Sequence, residues 1–122
     1  MIDGSISRQD NQQCLIQHVM CTNNPIERMR GLLGKTPLQN DQAILITSCS
    51  SVHTIGMTYP IDLAFLDKHW KIRKIVKSLV PWRMAWSLGS SMVLEMPPGT
   101  IDKLNLDNNM RLIWKEKKCP HA

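Results

Sequence analysis

Ile61–Val80 reads IDLAFLDKHWKIRKIVKSLV, and its two halves carry different periodicities. Ile61 to Leu66 is apolar at every position but Asp62, the pattern of a short strand covered on both faces. Lys71 to Val80 instead alternates charge with Ile72, Ile75, Val76 and Leu79, the pattern of a strand with one face in water. The apolar phase slips between Ile72 and Ile75, which predicts a β-bulge in the second strand. Asp67 to Trp70 lies between the halves as a short polar turn. The stretch therefore reads as two strands joined by a hairpin turn.

Working outward, similar runs predict about six strands: residues 13–21, 43–48, 61–67, 71–80, 91–96 and 110–115. One segment has helical signals. Asn24 is a good N-cap, Pro25 suits the first helical position, and Gly34 suits a left-handed end. Between them Ile26, Met29 and Leu33 share one face, predicting a short helix from about Pro25 to Leu33. One helix among many short strands argues for a mainly β domain, with a barrel-like or sandwich-like sheet that hides its edges. Residues 1–11 are polar and contain Gly4, and the chain ends KEKKCPHA. Both ends read as frayed, leaving an ordered core of about residues 12 to 115.

With 122 residues, 43% of them hydrophobic, the chain has the size of one domain able to bury a core without staples. No run approaches the length of a membrane span, and MIDGSISRQDNQQ lacks the charged start and apolar stretch of a secretion signal. A cytoplasmic protein without a membrane partner is expected. The four cysteines then stay as thiols. A formal net charge of +5 fits nucleic acid or plain solubility. The basic residues are spread and the aromatics are not interleaved with them as a stacking platform requires, which argues against nucleic acid.

Reactive side chains concentrate in Cys49–Asp67, CSSVHTIGMTYPIDLAFLD. Cys49 and His53 are four residues apart, about 13 Å in an extended strand, so a functional pair needs a folded loop. Three readings stay open. Cys49, His53 and Met57 resemble by type a copper ligand set. Cys49 could be a nucleophile with His53 as base. Alternatively, Cys49 is a small buried side chain and His53 a polar one holding the loop. Asp62 is flanked by apolar residues on both strand faces, so its carboxylate needs a partner or backbone donors. Arg30, His53 and Arg83 are candidates. Glu95, within MVLEMPP, is either an ion-pair partner or an acid of raised pKa. Trp82 is expected in the core. Together Asp62, His53, Arg83, Arg30 and Glu95 outline a polar pocket for a small polar ligand.

The signature of Cys49–Asp67, with Arg28, Arg30 and Gly31–Gly34 before it, then Pro81–Arg83, Leu94–Glu95 and Gly99–Thr100 after it, resembles the domain of unknown function 192 family. The resemblance implies a β-rich single domain. It implies no established reaction, cofactor or substrate. Trp70 stands where that family commonly has Gly in the turn after Asp67, and Asn109 stands at another such position. Because Trp adopts a left-handed backbone poorly, the first hairpin turn is expected to be built differently. The resulting expectation is a binding or accessory module for a small polar ligand or a protein, without a cofactor. The alternative is an enzyme or metalloprotein using Cys49 and His53.

Overall fold

The computed structural model describes residues 2–22 and 38–117. The helix expected from Pro25, together with Arg28, Arg30 and Cys119, lies outside the described residues. Nine strands are found among the described residues: β1 (Ile2–Arg8), β2 (Cys14–Cys21), β3 (Gln42–Thr47), β4 (Ser51–His53), β5 (Ile61–Leu66), β6 (Ile72–Leu79), β7 (Met84–Trp86), β8 (Met92–Met96) and β9 (Leu112–Glu116). Among the described residues one short helix, α1 (Thr100–Leu104), follows β8. The domain is mainly β, as the periodicities require.

Seven strands form one mixed sheet in the order β6-β5-β8-β3-β2-β1-β9, while β4 and β7 form a separate two-stranded ribbon. Among the described strands only β2 and β3 pair in parallel. The sheet does not close into a barrel. Its edges meet where the chain enters β6 and β9, at a bridge between Lys71 and Arg111 supported by Ile72 N–H to Met110 O at 2.8 Å and Leu112 N–H to Trp70 O at 2.9 Å.

Side chains on a strand alternate between faces, so β5, β8 and β3 feed two cores. Ala64, Leu66, Leu94, Met96, Ala43 and Leu45 point to one, shared with Ile6, Ile16, Val19 and Ile101 of α1. Ile61, Leu63, Phe65, Val93, Ile44 and Ile46 point to the other, closed by Val52, Met57 and Ala85 from the ribbon side.

The hairpin of β5 and β6 shows register shifts at Ile61/Leu63 and Phe65/Leu66. The second corresponds to the bulge expected from the slip between Ile72 and Ile75. The turn before β6 corrects the expectation for Trp70. Asp67 O accepts from Trp70 N–H at 3.0 Å, Asp67 Oδ1 accepts from the amides of His69 and Lys71, and Trp70 itself adopts φ 65°. The turn keeps the left-handed position and puts Trp there, at a backbone cost of roughly 1–2 kcal/mol. Packing of its half-buried indole against the first core offsets that cost. Asn109 takes φ 72° at its own turn, a conformation Asn tolerates.

The N-terminal segment, expected to fray, is β1, paired with β2 and β9. Its Gly4 is a close-approach position. A Cβ there would fall onto the Trp114 ring and 2.7 Å from Lys115 O.

Candidate functional site

Residues 49–60 and 80–91 lie over the second core. The ribbon they form is registered by Ser51 opposite Trp86, Val52 opposite Ala85 and His53 opposite Met84. Val52 and Ala85 are buried, so Ser51, His53, Met84 and Trp86 share the outward face. The base of the ribbon is tied by Thr54, which is fully buried. Its Oγ1 donates to Val80 O at 2.7 Å and accepts from Arg83 N–H at 2.9 Å; its own amide donates to Arg83 O at 2.8 Å, and its carbonyl accepts from Trp82 N–H at 3.0 Å. This clamp holds Trp82 at φ 63°.

Trp82 is 64% exposed, not the core residue expected from sequence. It begins a line of every second residue, Trp82, Met84, Trp86 and Leu88, all well exposed; Ile55 and Val80 are exposed in the adjoining loops. Of the seven exposed large apolar side chains among the described residues, only Met20 lies elsewhere. Lys74 of β6 reaches over this line, with Nζ 2.8 Å from Trp86 O and 5.7 Å from the centre of the indole. Arg83 is exposed, its guanidinium donating to Trp82 O at 3.2 Å.

Of the five residues expected to form one pocket, four are described, and these four do not all lie together. Arg30 lies outside the described residues. His53 and Arg83 are brought near one another on the ribbon, since Arg83 is bonded to Thr54, next to His53. Asp62 and Glu95 are both buried, but on opposite faces of the sheet. Glu95 sits directly across from Leu63 and Ile44 of the second core, whereas Asp62 shares its face with Ala64 and Leu66 of the first. Asp62 is satisfied by backbone amides: Oδ1 accepts from Ser78 N–H at 2.8 Å and Oδ2 from Ile101 N–H at 3.0 Å. Glu95 Oε2 has no hydrogen-bond partner among the described residues, and burial pushes its carboxyl up to about 7. Tyr59 is also pushed up, by burial first and then by the charge of Glu95.

The Cys49 thiol donates to Ser51 O at 2.9 Å. His53 lies on the exposed side of β4, while Met57 is buried in the second core, so the three do not converge. No group of three His, Cys, Asp or Glu side chains that could hold a metal ion occurs among the described residues. Nor is any helix among them long and apolar enough to cross a membrane.

Sequence reasoning overlooked Thr54 as the tie at the base of the ribbon, and Lys74, Met84, Trp86 and Leu88 as exposed neighbours of Trp82. The period of two from Trp82 to Leu88 was the signal of the exposed line, masked by reading Trp82 as core.

Comparison with known proteins agrees with the fold. The family model for the domain of unknown function 192, described as uncharacterized ACR, matches residues 6–114. A crystal structure of a proposed transcription regulator from Sinorhizobium meliloti 1021 superposes with a TM-score of 0.81 at 20% identity, covering 93% of this chain and 94% of the other. A protein of unknown function from Novosphingobium aromaticivorans DSM 12444 gives a TM-score of 0.73 at 16% identity, with 92% and 84% covered. At these identities the likeness establishes the fold alone. No match was found among the curated proteins.

Proposed function

The chain belongs to the domain of unknown function 192 family, and we propose that it is a binding or accessory module whose working face is the outer side of the β4–β7 ribbon. One observation carries this reading: among the described residues, six of the seven exposed large apolar side chains lie on this ribbon and its loops. Exposed apolar groups scattered singly need no explanation, but a contiguous patch marks an interaction surface. Two of the six are Trp, the residue type most enriched where binding energy concentrates. A protein partner fits an exposed apolar face better than a small polar ligand does. The alternative built on Cys49 and His53 has less support, because the thiol is bonded to Ser51 O and the imidazole faces outward.

The test is selection of displayed random peptides on the immobilised full chain and on a Trp82→Ser, Trp86→Ser, Leu88→Ser variant. Because these side chains are exposed, each change should leave stability within about 0.5 kcal/mol. The parent should enrich a consensus that the variant no longer retains. Absence of enrichment, or enrichment that survives in a folded variant, contradicts the reading.

A further inference from the structure

The charge around the apolar line is of one sign. Residues 49–60 and 80–91, which build the ribbon and its loops, contain Arg83 and His53 and no Asp or Glu. β6 beside them, IRKIVKSL, adds Arg73, Lys74 and Lys77 and again no acid. Two of these cations are partly neutralised within the chain: Lys77 pairs with Asp102 at 2.7 Å, and Arg73 stands 3.9 Å from Asp67. Arg83 and Lys74 are not. Among the described residues both bond only to carbonyls of the apolar line itself, Trp82 O and Trp86 O. Lys74 thus stands over the exposed Trp86 indole, and Arg83 follows the exposed Trp82 in the chain.

We infer that the occupant of the ribbon face is an acidic segment of a partner protein that carries apolar side chains between its carboxylates. This rests on the ribbon being the docking surface. Apolar side chains of such a segment would cover Trp82, Met84, Trp86 and Leu88. Its carboxylates would meet Arg83, whose planar fork suits bidentate pairing, and Lys74. Complementary charge of this kind sets partner choice and accelerates encounter. Exposed Trp beside cations also suits stacked bases of single-stranded nucleic acid. The aliphatic and thioether members of the patch, Ile55, Val80, Met84 and Leu88, favour the peptide, because bases stack on aromatic faces and gain little from these groups.

The experiment titrates the full chain, by its Trp fluorescence, with three synthetic peptides sharing one set of Leu and Ile residues and differing only in Asp/Glu, Ser/Gln or Lys/Arg at the other positions. An oligothymidylate is the fourth probe. The acidic peptide should bind about tenfold more tightly than the neutral one. Its affinity should fall several-fold between about 50 and 300 mM salt. In Lys74→Glu, Arg83→Glu the preference should pass to the basic peptide. Equal binding of the acidic and neutral peptides would overturn the acidic assignment while leaving the docking surface standing. Failure of all three peptides would overturn both. Tighter binding of the oligothymidylate than of the acidic peptide would replace the peptide with nucleic acid.

Discussion

Asp62 and Ile101, 39 residues apart, are joined by a buried hydrogen bond: the Asp62 carboxylate accepts the Ile101 amide at 3.0 Å. That contact fixes the first turn of α1 against the start of β5. The other carboxylate oxygen accepts Ser78 N–H at 2.8 Å, at a bulged residue with φ 51°. One side chain thus stands in for the sheet partner that the bulge removes and for a cap the helix lacks, since Gly99 offers no side-chain hydrogen bond.

Asp62→Ala should therefore destabilise the protein by about 2–4 kcal/mol, because two amides lose a charged acceptor in a mostly dry setting. Asp62→Asn, which keeps one acceptor oxygen, should cost less. Urea midpoints of the two variants against the parent check this. An unchanged midpoint in Asp62→Ala would mean that water replaces both bonds.

Glu95 predicts a pH dependence of the opposite kind to that of a paired carboxylate. Its folded-state pKa is raised from 4.5 to about 7 by burial, so the native state binds the proton more tightly than the unfolded chain does. The stability this adds is fully present below about 4.5, declines as pH rises, and is gone above about 7. The full change amounts to about 3 kcal/mol. Glu95→Gln, neutral throughout, should remove that slope, so that its stability advantage over the parent is larger at pH 8 than at pH 5. Equal pH profiles of the two proteins would show that the carboxylate is compensated in the fold.

Sequence made the long strands legible because burial imposes a period on them. β2, β3, β5, β6, β8 and β9 were all expected, as was the bulge in β6. What stayed hidden was either too short for a period or hidden by polarity. β4 and β7 have three residues each and α1 five. β1, IDGSISR, looks like a frayed end, yet its Gly4 lets the Trp114 ring lie against it and its Ser7 is buried. The burial of Asp62 and Glu95 could be read from their neighbours. Their separation could not, because it depends on β5 pairing with β8 so that Leu63, and not Asp62, stands opposite Glu95.

Cys49 should alkylate slowly in the folded protein, since it is half-buried and its thiol is engaged with Ser51 O at 2.9 Å. His53→Ala should not alter the pH profile of that reaction, because the imidazole faces away. The measurement uses a background in which Cys14, Cys21 and Cys119 are Ser. Rapid modification at pH 6 that disappears in His53→Ala would make Cys49 an activated nucleophile and revive the enzyme alternative.

The central claim is that the ribbon face is the one that binds. Amide chemical shifts of the isotopically labelled full chain, followed during titration with the acidic apolar peptide, address it residue by residue. The largest changes should fall on His53 to Ile55, Val80, Trp82 to Leu88 and Lys74, with the indole N–H signals of Trp82 and Trp86 moving alongside them. Thr100 to Leu104 and β9 should stay in place. Changes centred on α1 or β9, with the ribbon signals still, would contradict the account.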